Sequence, residues 1–374
     1  MATDLDLPSL SAAAQKVLSP DAPAPMKLMA ARGVIPGAKP AEIVTVICAL
    51  CESPDQKVAE TARGAIGKLP PPILNGALGG DLPAFVIDAL AHAYPNQHEV
   101  VTALLRMPRI GTAALEQMAS TADERAGELI ATNEELMLKN PTVIEKLYMN
   151  KRVRMSTADR LIELAVRNQL ELQIPAFAEA AAAIKNELIL EAAEEPSPDD
   201  LQFQQANLLA EELERELHEG EDTYEVDPEG EEKIKKKAKP LHAVLAESTV
   251  SQKIRIATLG SAAARTLLVR DPNRLVAVAA VKSPLMREPE AAIISASRAV
   301  SEDVLRTIAQ NREFTRSYQI KLNLVMNPRC PLTFATRMIP HLRESELKTL
   351  AKSKNVSAAI ATAVRQQLSR KDRP

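Results

Sequence analysis

The chain reads as all-α, an α-solenoid of short helical hairpins in two halves joined by an acidic, partly disordered linker. Its composition points there first. Hydrophobic residues make up 46% of the 374 residues but aromatics only 2%, with no Trp. The core must therefore come from Leu, Ile, Val, Ala and Met, and long alternating β-branched runs are missing. An internal repeat points the same way. Leu-Arg-Thr-Ile-Ala at 305–309 returns as Leu-Lys-Thr-Leu-Ala at 347–351, with a looser copy, Ala-Arg-Thr-Leu-Leu, at 264–268. The offsets are 42 and 41 residues, and a period near about forty is what stacked helical pairs give, because neither pair can bury its apolar face alone. The third observation is a charge partition. Residues 1–185 carry 18 Lys/Arg against 21 Asp/Glu, residues 186–232 carry 1 against 18, and residues 233–374 carry 27 against 10. An acidic segment thus separates a near-neutral half from a strongly basic one.

Residues 1–25, with Pro20, Pro23 and Pro25, read as a short helix and a loose lead-in to an N-terminal repeat domain over 26–193. Pro40 opens a helix over 41–50. Ser53-Pro54 opens its partner, in which Val58, Ala62 and Ile66 form one apolar stripe. The run Pro70-Pro71-Pro72 and the turn at Gly79-Gly80-Asp81 punctuate the chain. Helices are expected over 83–93, 99–105, 112–118 and 124–130. Ser156-Thr157-Ala158-Asp159 reads as a capping box for a helix to 170, and Pro175 begins an Ala-rich helix to 193. The halves share a phrase. Ile130-Ala131-Thr132-Asn133 precedes Met149-Asn150-Lys151-Arg152, as Ile308-Ala309-Gln310-Asn311 precedes Met326-Asn327-Pro328-Arg329.

Residues 194–240 form the linker, acidic at first and basic at its end. Within it 201–218 has helical pattern, and Leu209, Leu213 and Leu217 align as a candidate face for docking back onto the basic half. Residues 221–239 read as disordered, and a flexible stretch of about 40 residues spans roughly 35 Å, enough to fold back. The basic C-terminal repeat domain, 241–374, has breaks at Asp271-Pro272, Ser283-Pro284, Asn327-Pro328 and Pro340. Arg265, Arg270, Arg274, Arg306, Arg312, Arg316, Arg329, Arg337 and Lys348 recur at repeat-related places, a candidate surface for a polyanion or a protein partner.

No motif assigns chemistry. Cys48 and Cys51 form a C-x-x-C inside an apolar helical segment, without the preceding strand of a redox motif or the second pair of a zinc site. The five His are scattered, and G-x-S-x-G, P-loop and G-x-G-x-x-G patterns are absent. Arg312 and Arg316 have R-x-x-x-R spacing, which fits a basic loop between helices. No cofactor or metal is expected. The N-terminus lacks an apolar signal region and no apolar run approaches the ~20 residues of a membrane span, so a cytoplasmic protein is expected.

The repeat phrases, with Asn-Pro or Ser-Pro breaks before short amphipathic helices, resemble HEAT-like and variant leucine-rich helical repeats. The phrases Met26-Lys27-Leu28-Met29-Ala30-Ala31-Arg32-Gly33, Leu268-Val269-Arg270-Asp271-Pro272-Asn273 and Ser353-Lys354-Asn355-Val356 make the chain similar to a group of uncharacterised bacterial HEAT-like proteins. That resemblance covers both halves but not the linker, and it implies a stacked-helix architecture without an activity. The expectation is a non-enzymatic scaffold or adaptor for protein partners, self-shielded by its acidic linker. The alternative is nucleic-acid or anionic-membrane binding through residues 241–374.

Overall fold

A computed structural model describes residues 7–185, 195–217, 221–228, 231–353 and 356–371. The protein is all-α: it is 68% helical, with 24 α-helices and one two-stranded hairpin among the described residues. It divides into two compact units, Met1–Leu172 and Gln173–Pro374.

The first unit comprises α1 (Ala12–Leu18), α2 (Ala24–Ala31), α3 (Pro40–Leu50), α4 (Gln56–Ile66), α5 (Pro71–Leu78), α6 (Ala84–Ala93), α7 (His98–Leu104), α8 (Thr112–Thr121), α9 (Glu124–Ala131), α10 (Glu134–Lys139), α11 (Pro141–Met149) and α12 (Met155–Arg167). Its helices form two rows, because most pack on the next but one, and α11 reaches back past α9 and α10 to α8. One row runs α1, α3, α5, α7, α9 and the other α2, α4, α6, α8, α11. The Pro-opened helices start as the residues dictate, with Pro at the first helical positions of α2, α3, α5 and α11, where a missing N–H costs nothing. Gly33, at φ +82°, ends α2, its N–H donating to Ala30 O. Gly76 lets α5 approach α3 so closely that a Cβ there would lie 2.7 Å from Pro40. Two expectations are corrected here. Helix α1 packs on α3 and belongs to this unit rather than to a loose lead-in. Helix α12 starts at Met155 with Arg154 at its N-cap, so Ser156 is a residue of the first turn and not the N-cap.

The second unit comprises α13 (Phe177–Ile184), α14 (Pro198–Glu216), the strands β1 (Tyr224–Val226) and β2 (Glu232–Ile234), then α15 (Lys239–Glu247), α16 (Val250–Leu259), α17 (Ala262–Leu268), α18 (Arg274–Lys282), α19 (Glu288–Ala296), α20 (Glu302–Gln310), α21 (Tyr318–Met326), α22 (Leu332–Met338), α23 (Glu344–Lys352) and α24 (Ala358–Lys371). Rows recur: α13, α16, α18, α20 in one and α14, α17, α19, α21 in the other. The expected boundary at 193 therefore moves to 172. Helix α13 buries Ala180 and Ile184 and packs on α16 and α18, with Lys282 Nζ 2.6 Å from Glu179. The Ala-rich helix was expected to reach 193, and residues 186–194 lie outside the described ones.

The 41- and 42-residue offsets are not the stacking period. Their phrases fall in α17, α20 and α23, three helices apart, so each offset holds three short helices instead of one pair. Stacked neighbours lie two helices apart, or three at α8–α11, α13–α16 and α14–α17, and the polar ties between them show the spacing in residues. Asn150, ending α11, donates from Nδ2 to Ala119 O (2.9 Å) and Ala122 O (2.8 Å) at the end of α8, 31 and 28 residues away. Asn327, ending α21, does the same to Ser295 O (2.9 Å) and Ser297 O (2.7 Å) at the end of α19, 32 and 30 residues away. In both, Oδ1 accepts the N–H two residues on, from Arg152 and Arg329, at 3.0 Å. Ser283 is a shorter version at the end of α18, its hydroxyl donating to Thr258 O at 2.8 Å and accepting from Leu285 N. The phrase shared between the halves is therefore a shared joint.

Candidate functional site: a carboxylate cradle filled from within

The described residues of the acidic segment are folded, not only in the helix expected over 201–218 but also beyond it. Ser197 caps α14, and Asp200 closes the box by accepting from Ser197 N at 3.0 Å. The helix buries Phe203, Ala206, Ala210 and Leu213 against α15, α16 and α17. Its docking face is thus turned from the expected one. Leu213 is buried, whereas Leu209 and Leu217 are only half-buried. Phe203 rests on Arg255, whose fully buried guanidinium lies 5.0 Å from the ring centroid. Further ties are Gln252 Nε2 to Asp199 O (3.1 Å) and Ser261 Oγ to Ala210 O (3.0 Å).

Residues 221–228 and 231–235, in the stretch 221–239 expected to be disordered, supply the hairpin of β1 and β2. Tyr224 faces Ile234 and Val226 faces Glu232 in an antiparallel register. Glu225 opposes Lys233, and Lys235 Nζ lies 2.6 Å from Glu221.

Arg270, just past α17, is the centre of the site. Its side chain is 4% exposed. Nη1 donates to Thr266 O (2.8 Å), the Nη atoms grip Asp222 (2.7 and 3.3 Å), and Nε donates to Glu232 (2.9 Å). The Tyr224 ring centroid lies 4.1 Å from the guanidinium carbon. Glu232 in turn accepts from Ser297 Oγ (2.7 and 2.8 Å) and from the backbone N–H of Arg298 (2.9 Å) and Ala299 (3.4 Å). Burial pushes the Glu232 carboxyl up, but the Ser297 hydroxyl, Arg270 and the Arg298 amide outweigh it and hold it below the usual carboxylate range. Burial raises the Tyr224 phenol. Beside the hairpin, the Thr223 and Thr266 hydroxyls meet at 3.0 Å in the interior.

The nine expected surface cations do not form one surface. Arg265 is buried, held by Glu290 (2.9 Å at both Nε and Nη2), Gly260 O and Leu285 O, and Arg270 is the buried node just described. Both are corrected from surface to interior. Arg274 and Arg306 share Asp303, and Arg306 also pairs with Glu302. Lys348 pairs with Glu344, and Arg329 donates to Ala299 O and Val300 O. Arg312, Arg316 and Arg337 are exposed. Residues 217 and 221 flank a cavity of about 270 Å³ that also touches Thr266, Arg287 and Glu290.

Cys48 is buried in α3, where burial and the neighbouring Cys51 push its thiol up, and burial also raises Cys51 and Cys330, the last to about 11. Among the described residues no group of three His, Cys, Asp or Glu is placed to hold a metal, and no helix is long and apolar enough to cross a membrane.

Asp222, Tyr224, Glu232 and Ser297 escaped the sequence reading. A signal for three of them exists: Tyr224-Glu-Val226 and Ile234 flank Asp227-Pro228, an alternating pattern around a turn. It is masked by acidic composition. No family model matches the chain, and no curated protein matches it either.

Proposed function

We propose that the protein is a non-enzymatic helical-repeat adaptor of the cytoplasm, a scaffold that binds a protein partner through its basic C-terminal unit and shields that unit with its own acidic segment. The observation that carries the reading is the cradle around Arg270, where a buried fork, a hydroxyl and two backbone amides are all spent on carboxylates. Donors aimed at carboxylates in this way suit the recognition of an acidic segment, which supports a binding role. Nucleic acid or an anionic membrane is the second reading, resting on exposed Arg312, Arg316 and Arg337. It is weakened because Arg265 and Arg270 face inward and Arg274, Arg306 and Lys348 are paired with carboxylates.

Salt separates the two. The full chain is titrated against fluorescent duplex DNA and anionic vesicles across a salt series, and in parallel used to capture partners at about 150 mM salt. A discrete, saturable protein complex with no DNA or vesicle binding at that salt is expected. Tight DNA or vesicle binding with a steep salt slope, and no protein complex, contradicts the adaptor reading.

A further inference from the structure

The acidic segment has two parts held in different ways. Helix α14 is bound by burial: Phe203 is 2% exposed and Ala206 is fully buried. The hairpin is bound by charge. Its strands are three residues long, Val226 is 68% exposed, and Tyr224 and Ile234 are only half-buried. A two-stranded hairpin of this size has little stability of its own, so its place depends on Asp222, Glu232 and Tyr224 gripping Arg270 and on Thr223 meeting Thr266. Releasing the hairpin parts these polar contacts and the small buried Thr223 but exposes little apolar surface, whereas releasing α14 exposes Phe203 and Leu213.

The groups beneath the hairpin belong to the repeat stack itself. Thr266 O holds Arg270, and Ser297 ends α19. Arg270 presents a planar fork on one side, and Ser297 with the two following amides presents a second anion site on the other. Such a pair recognises two carboxylates set apart by a short stretch of chain. The surrounding sequence, 27 basic against 10 acidic residues over 233–374, draws in a negative segment and repels a positive one.

We propose that the hairpin is a displaceable internal ligand, and that the cradle of Arg270, Ser297 and the amides of Arg298 and Ala299 is the docking site for an acidic segment of a partner protein. The proposal rests on the adaptor reading and names the chemistry of its partner: an extended peptide with two carboxylates in the places of Asp222 and Glu232 and an aromatic or apolar group in that of Tyr224. Displacement exposes Arg270 to water only until the incoming carboxylates take it, so a partner completes an exchange of like for like, and α14 stays in place throughout.

The 3.0 Å approach of the Thr223 and Thr266 hydroxyls supplies a lock. In the full chain, Thr223→Cys with Thr266→Cys puts two sulfurs within bridging reach. The probe is a fluorescent synthetic peptide copying residues 221–235 of this chain. Reduced, the double variant is expected to bind the probe; oxidised, at least about tenfold more weakly, a difference of about 1.4 kcal/mol. In parallel, Asp222→Asn with Glu232→Gln loosens the hairpin without a bridge and should tighten probe binding by about tenfold over the parent chain. Circular dichroism reports whether each variant keeps its helices. Equal binding by the oxidised and reduced forms overturns the proposal, as does a folded Asp222→Asn/Glu232→Gln variant that binds no tighter than the parent. Duplex DNA binding that responds to the lock while the peptide does not also overturns it, and assigns the cradle to polyanions. If the probe fails while the partner complex of the preceding test forms, the adaptor reading stands and its docking surface lies elsewhere.

Discussion

Asn150 and Asn327 show how single residues set the stacking. Each is nearly buried, and each satisfies two carbonyls that end the neighbouring helix of its row and would otherwise face the interior unpaired. Asn150→Ala or Asn327→Ala should each destabilise its unit by about 2 kcal/mol, the cost of orphaning buried acceptors, as read by urea unfolding. Replacement by Asp should be worse, since it sets a carboxylate against the same carbonyls. Glu232 makes a second prediction. Its carboxyl titrates lower in the folded chain than at its ordinary 4.5, so its stabilisation is complete above that pH and is lost as pH falls through the lower folded value. The melting temperature should drop on acidification below pH 4.5, and Glu232→Gln should make that drop shallower. A drop of unchanged size would place the acid sensitivity in other carboxylates. The thiols are a third case. With Cys330 raised to about 11 and Cys48 and Cys51 raised by burial, alkylation by iodoacetamide near neutral pH should run at less than about a tenth of its rate in the denatured chain.

At the scale of elements, helix α14 separates what local signals reveal from what they hide. Its existence was legible but its start was set late, at 201, although Ser197, Pro198 and Asp200 mark the true start at Pro198. In the first unit the Pro start of α3 was legible, whereas α2, α5 and α11, also opened by Pro, were not placed, the run Pro70-Pro71-Pro72 being read as a break. The face that α14 buries was not legible. Leu209, Leu213 and Leu217 align at helical spacing, yet the helix turns Phe203, Ala206, Ala210 and Leu213 inward, because small residues let it lie close against α17 and a ring can sit on Arg255. Leu213→Ala should therefore cost about 2–3 kcal/mol and Leu209→Ala clearly less, with Phe203→Ala nearer about 4. Equal losses at Leu209 and Leu213 would restore the face expected from helical spacing. The hairpin was missed because its alternating pattern around Asp227-Pro228 is hidden in acidic composition, and its docking site was illegible for a different reason. Its partners, Arg270 and Ser297, lie 38 to 65 residues further along the chain, beyond the reach of any local pattern.

On the scale of the whole molecule, the charge partition divides the sequence where the structure does not. Counting charges sets a linker over 194–240, but packing assigns its described residues to the second unit, where α14 heads the row that continues through α17, α19 and α21. Terminal repeats of a stack need a polar outer face, and the exposed Glu211, Glu212 and Glu214 supply one while the inner face covers α17. The repeat architecture was therefore legible in kind, and its period and boundary were not, since phrases copied every third helix resemble a period of pairs. Residues 173–374 expressed alone should unfold in one cooperative transition, whereas 241–374, stripped of Phe203, Leu213 and Thr223, should expose α16 and α17 and melt without a sharp transition. The most direct test is hydrogen exchange of the full chain, read by peptide mass. Amides of α14 should be protected to the level of α16, which it covers, and those of β1 and β2 should exchange sooner, as a detachable hairpin requires. Exchange of α14 at the rate of an unfolded peptide would contradict the account, returning the acidic segment to a linker.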